Sequence, residues 1–200
     1  MLDLDVIDDP ARAALALDPV KRRLLAELAT PASAASLAAR VGLTRQKVNY
    51  HLRALEEHKL VAPAEERRWG GLTERLMVAT ATSYVVSPAA LGPIAADPAR
   101  NTDRLSASYL IALAARVVRE VGDLWRRARE NDKRLATLSI DTVIRFKSPA
   151  DRAAFTNDLA NAVAMLAARY HDETAPRGRP HRLVVAAYPA PDDSKPRKED

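Results

Sequence analysis

The stretch Leu37-Ala38-Ala39-Arg40-Val41-Gly42-Leu43-Thr44-Arg45-Gln46-Lys47-Val48-Asn49-Tyr50-His51-Leu52-Arg53-Ala54-Leu55 constrains the fold more than any other. Ser33 or Ser36 caps a short helix that runs to Arg40, and Gly42 supplies the positive φ of a tight turn. Thr44 then caps a second helix reaching about His58, with Val48, Leu52 and Leu55 as its inner stripe. Residues 60–66 read as a strand, Arg67-Arg68-Trp69-Gly70-Gly71 as a turn, and 73–86 as a return strand with a bend near Thr80. Helix, turn, helix, strand, turn, strand is the order of a winged helix-turn-helix, a shape that fits its second helix into the DNA major groove.

Elements on either side extend this reading. Asp9-Pro10 and Asp18-Pro19 each pair an N-cap with proline at the first helical position. The first opens a helix through Leu17. The second opens one to about Ala29, with Val20, Leu24, Leu25 and Leu28 on one face. Ser87-Pro88 starts a short helical piece that ends near Asp97-Pro98, and a long helix follows over about 102–133. Along it Leu110, Ala114, Val117, Val121, Leu124 and Ala128 alternate at spacings of four and three, a heptad seam.

The last third changes style. Leu138, Ile140, Thr142, Ile144 and Phe146 face one way and Ser139, Asp141, Val143 and Arg145 the other, which predicts a half-buried strand. Ser148-Pro149 opens a helix to about 171 with Phe155, Leu159, Ala162, Leu166 and Tyr170 inward. Residues 183–188 read as a second strand. Strand, helix, strand predicts a βαβ unit with a right-handed crossover. Too small to stand alone, it must pack on the long helix or on a second copy. The fold class is therefore α+β: an N-terminal winged helix-turn-helix domain (1–98), a long dimerisation helix with a C-terminal strand-helix-strand unit (99–190), and a disordered tail (191–200).

Composition narrows the chemistry. The formal charge of +5 suits a polyanionic partner without identifying one. There is no cysteine, which excludes disulfides, thiolate metal sites and cysteine nucleophiles. Acids in the opening Met-Leu-Asp-Leu-Asp argue against a signal peptide, and no run approaches the roughly 18 apolar residues of a membrane span, so a cytoplasmic protein is expected. Six glycines form no phosphate-cradling loop, and no serine sits in a glycine-flanked elbow; neither an enzyme nor a cofactor is expected. His171-Asp172-Glu173 with His181 is the nearest thing to a metal set, but ligand spacing does not recur, and no metal is expected.

A binding site is legible instead. With Val48, Leu52 and Leu55 inward, Gln46, Tyr50 and Arg53 lie opposite, flanked by Lys47 and Asn49. Arginine and lysine pair with guanine edges, glutamine and asparagine with adenine edges. The Thr44 hydroxyl and the free amides at the helix start, beside Arg45, can hold a phosphate. Arg67 and Arg68 at the hairpin tip can reach phosphates or the minor groove, although Glu65, Glu66 and Glu74 also make a surface ion-pair cluster there. Leu110, Ala114, Val117, Val121 and Leu124 are the expected dimer centre. Tyr109, Trp125, Phe146 and Tyr170 are the aromatic residues able to line an effector pocket. The expected partners are double-stranded DNA, a second copy of the chain and a small-molecule effector, with a protein-interaction module as the other reading.

Val48, His51, Leu52 and Leu55 also fit the pattern valine-x-x-histidine-leucine-x-x-leucine, and Leu60-Val61 follows as a first wing strand. On these residues the chain from 38 to 61 resembles the ArsR-type winged-helix repressors, and the likeness continues to about residue 86. MarR-like and PadR-like regulators share the architecture. The resemblance implies a homodimer that represses promoters and releases DNA when an effector or metal binds. Two features depart from the family. His58-Lys59 stands where glycine often follows the recognition helix, and the cysteines of the thiolate metal sensors are absent.

Overall fold

Asp-Pro and Ser-x-x-Ser steps start the first helices as their chemistry dictates. The computed structural model describes residues 1–69 and 72–191, with the backbone alone of Arg67, Arg68, Trp69, Leu72 and Thr73. Two units are present, residues 1–135 and 136–200. The first contains β1 (Asp5–Ile7), α1 (Pro10–Leu17), α2 (Pro19–Glu27), β2 (Ala32–Ser33), α3 (Ala34–Val41), α4 (Arg45–Glu57), β3 (Val61–Trp69), β4 (Leu72–Ala79), β5 (Tyr84–Val86) and α5 (Ala107–Glu130), with short 3-10 segments at Pro88–Ile94 and Pro98–Arg100. Asp9 accepts from the Arg12 amide at 2.7 Å, and Asp18 from the amides of Val20 and Lys21 at 3.0 and 2.9 Å. Ser33 and Ser36 act together: each hydroxyl accepts from the other's amide, a capping box. Gly42 has φ 68°, the left-handed turn that separates α3 from α4.

The core fixes which way α4 faces. Val48, Leu52 and Leu55 are buried against Leu24, Leu25 and Leu28 of α2, Leu37 and Val41 of α3, and Leu60, Val61 and Met77. Burying each such side chain is worth about 1.5–3 kcal/mol, so rolling α4 about its axis would forfeit several of these terms at once. β2, β4 and β3 form an antiparallel sheet in the order β2-β4-β3. Its register shifts between Pro63 and Glu65, where proline has no amide to give to the ladder. Both strands of the β3–β4 pair run further than expected, to Trp69 and from Leu72.

The expected return strand over 73–86 is two strands. β4 stops at Ala79, and β5 joins β1 in a separate parallel pair, Asp5 opposite Tyr84 and Ile7 opposite Val86. The break is held by hydrogen bonds: the Tyr84 hydroxyl donates to the Leu60 carbonyl at 3.1 Å and accepts from the Ala81 amide at 3.2 Å. The long helix is also shorter than expected. Ser106 caps it through the Tyr109 amide, and it ends at Glu130.

The end of α4 answers the missing glycine. The Leu60 amide donates to the Leu55 carbonyl at 2.8 Å and the Lys59 amide to the Glu56 carbonyl at 2.9 Å, the paired bonds of a Schellman motif. Lys59 takes the left-handed position itself, with φ 57°. Arg12 closes the same end, its Nε donating to the His58 carbonyl at 2.9 Å while its Nη2 meets Asp5 at 2.6 Å. A guanidinium at a helix C-terminus also suits the helix dipole.

The second unit contains α6 (Pro149–Tyr170), capped by Ser148 through the Asp151 amide. It corrects two expectations. Segments 138–146 and 183–188 form no strands among the described residues, so the βαβ unit is absent. A strand exists only through ladder bonds to another strand, and neither segment has one. The inward stripe of α6 holds only in part: Phe155, Leu159 and Ala162 are half-buried, Leu166 and Tyr170 are exposed, and no residue of the helix is fully buried. The Phe146 ring does meet Phe155 of α6, with centroids 5.3 Å apart. Residues 192–200, nearly all of the expected tail, lie outside the described residues.

Candidate nucleic-acid interface

Because Val48, Leu52 and Leu55 are buried, the opposite side of α4 must face outward, and the residues of 44–53 expected to touch DNA do. Thr44, Arg45, Gln46, Lys47, Asn49, Tyr50 and Arg53 are all exposed. Tyr50 is 71% exposed, with the edge of the His51 ring 5.4 Å away. Residues 44–55 contain three permanent cations, Arg45, Lys47 and Arg53, and no acid. The positive end of the helix dipole lies on the same side of the helix start, so the face attracts anions along its first turns. The Thr44 hydroxyl accepts from the Lys47 amide at 3.3 Å, leaving the amides of Arg45 and Gln46 without an intrahelical acceptor.

The first acid after this face is already committed. Glu56 is gripped by both Arg75 nitrogens, at 3.0 and 2.5 Å, which ties α4 to β4. This clamp was not foreseen from the sequence, and its two residues stand 19 positions apart with no local pattern to link them. His51 is half-buried. Burial holds its pKa below the ordinary histidine value, helped by the positive charges of Lys21 and Lys47 and opposed by Asp18. Asp18 in turn is held below the usual carboxylate range, chiefly by the Lys21 amide it accepts from.

Arg67 and Arg68 lie on β3 by their backbone, in register with Glu74 and Thr73. Their side chains, and that of Trp69, lie outside what is described. On α5, Ala112 and Gly122 are buried, and a Cβ built on Gly122 would meet Val6 at 2.9 Å. That face packs into the first unit. Of the expected dimer residues, Ala114, Val121 and Leu124 are exposed and Leu110 and Val117 half-buried, beside Ile111, which is 66% exposed.

The four candidate effector residues divide between the units. Tyr109 and Trp125 belong to α5, where the Arg129 guanidinium lies 5.2 Å from the Trp125 ring; Phe146 and Tyr170 belong to the second unit. A groove of about 410 Å³ in the first unit is lined by none of them; Ile94, Asp97, Arg100, Asn101 and Ile111 contribute to it. His171 and Glu173 approach to 3.4 Å, both exposed, while His181 turns to the Arg179 carbonyl. No group of three histidine or acidic side chains gathers among the described residues. No helix among them is long and apolar enough to cross a membrane.

Residues 16–63 match the family model described as a helix-turn-helix domain, spanning α2, α3 and α4 and about a quarter of the chain. The match supports a helix-turn-helix regulator of the broad class that includes ArsR-like and MarR-like proteins, and does not single out the ArsR type. Such a domain points to a DNA-binding regulator of transcription. No curated protein matches the chain.

Proposed function

We propose that this chain is a homodimeric winged-helix transcriptional regulator of ArsR-like kind that reads the DNA major groove with α4. The observation that carries the reading is the outward face of that helix: seven exposed residues from Thr44 to Arg53, rich in cations and free of acids, on a rod locked by three buried aliphatic side chains. In this reading β3 and β4 are the wing, and Arg67 and Arg68 reach phosphates from it. Arg45, Lys47 and Arg53 supply the sequence-independent attraction, and Gln46, Asn49 and Tyr50 the preference between sequences.

Two copies are needed because one such helix covers a single half-site, whereas a dimer spans two half-sites about one helical turn apart. The exposed apolar seam of α5, with Ile111, Val121 and Leu124, supports that assembly. We further propose that the protein is cytoplasmic, that it acts as a repressor without enzymatic activity, and that a small molecule releases it from DNA.

The test is a gel shift on duplex fragments from upstream of its own reading frame, in competition with unrelated duplex. A specific complex is expected, and Gln46→Ala and Asn49→Ala should shrink the ratio of specific to unrelated binding more than total affinity. Equal binding to every fragment, unaltered by either change, would contradict readout through α4.

A further inference from the structure

We infer that residues 138–146 pair antiparallel with the same segment of a second copy of this chain, centred on Val143. The inference builds on the dimer proposed above and names where its second unit is joined.

No described residue of 136–191 is buried. Ordering a chain costs roughly 1–2 kcal/mol per residue in backbone entropy alone, which only burial and hydrogen bonding can offset. Within one chain this unit supplies the hydrogen bonds of α6 but buries no side chain fully. Eleven large apolar side chains stand exposed in it, among them Leu138 at 83%, Ile140 at 84% and Val143 at 80%. Their exposed area is on the order of 1,000 Å² per copy, comparable to the roughly 800 Å² per partner that a standard stable interface buries. The backbone of 138–146 also has no ladder partner among the described residues.

The segment's own charges select the occupant. In antiparallel pairing about Val143, Asp141 of each copy stands opposite Arg145 of the other, so one twofold axis creates two opposite-charge pairs. Neither Asp141 nor Arg145 is in an ion pair among the described residues. The same register sets Ile140 opposite Phe146 and Thr142 opposite Ile144, keeping the apolar face continuous across the dyad. Sliding the register by two residues sets Asp141 opposite Val143 in one direction and opposite Lys147, just beyond the segment, in the other, and only the Val143-centred register places both members of each charge pair within 138–146. The even-numbered face carries Phe146, which already meets Phe155 of α6.

The absence of native cysteine makes the test clean. Val143→Cys introduces one thiol per copy, and the dyad sets the two Cα atoms about 4.5–5.5 Å apart, within disulfide reach. Mild oxidation of the full-length protein should therefore link most of the chains. Ser139→Cys, on the same face but roughly 20 Å or more from its copy, should not link. Asp141→Arg or Arg145→Asp alone should raise the dimer dissociation constant about tenfold, and the double change should restore it to within about threefold. A wild-type monomer by light scattering overturns both this pairing and the dimer. A dimer abolished by Val121→Asp, yet unlinked by Val143→Cys and indifferent to the charge swap, overturns the pairing alone. Pairing of 138–146 with 183–188 instead would leave Val143→Cys unlinked and so overturn it too.

Discussion

Replacing Lys59 by glycine should stabilise the protein. Lys59 holds φ 57° at the end of α4, where a side chain bearing a Cβ pays about 1–2 kcal/mol. Glycine removes that strain but loses about 0.5–1 kcal/mol more backbone freedom on folding. The net gain is about 0.5–1 kcal/mol. Nothing else is lost, because the Lys59 side chain is exposed and the position's fixed contacts belong to its backbone: its amide to the Glu56 carbonyl, and its carbonyl to the Thr80 hydroxyl at 3.0 Å. For a folding unit of this size the thermal midpoint should rise by about 2–4 °C. Thermal and urea unfolding followed by circular dichroism would measure it. Lys59→Ala separates strain from side-chain effects and should leave the midpoint unchanged. Asp132→Gly, at φ 49° after α5, should gain less, since aspartate tolerates this conformation better. A lowered or unmoved midpoint for Lys59→Gly would refute the strain argument.

Arg12→Ala removes a partly buried pair with Asp5 and the cap on the His58 carbonyl, and should cost about 2 kcal/mol in urea unfolding; Arg12→Lys should recover only part, since an ammonium lacks the guanidinium fork. His51 titrates below its ordinary value when folded, so on acidification the unfolded chain takes up its proton first. Stability should be full above about pH 6.5 and fall below it, and His51→Gln should flatten that slope between pH 7.5 and 5.5. Val121→Asp puts a charge on an exposed position of α5; far-ultraviolet circular dichroism should be unchanged while light scattering reports a smaller mass and DNA affinity drops.

The helices of the first unit were legible because their determinants are local. Asp9, Asp18, Ser33 and Thr44 start them, Gly42 turns between two of them, and the 48/52/55 stripe orients α4. That stripe also made the exposed face of α4 predictable. What sequence alone did not reveal depends on distant pairing. β1 has three residues and exists because β5 lies beside it, 77 or more positions along the chain. The Glu56–Arg75 clamp and the Arg12 cap join residues with no shared pattern. At Lys59 the absent glycine was visible, but its substitute in the left-handed position was not. The period-two alternation of 138–146 describes a strand correctly only when something pairs with it, and nothing among the described residues does.

The most direct test of the central claim is the salt dependence of binding to a short duplex, measured by fluorescence anisotropy for the unmodified protein and for Lys47→Ala and Arg53→Ala. Affinity should fall steeply with salt, and each change should lower the slope of log K against log salt by about 0.9. Slopes identical in all three proteins, or no binding at low salt, would contradict an α4 face built to receive DNA.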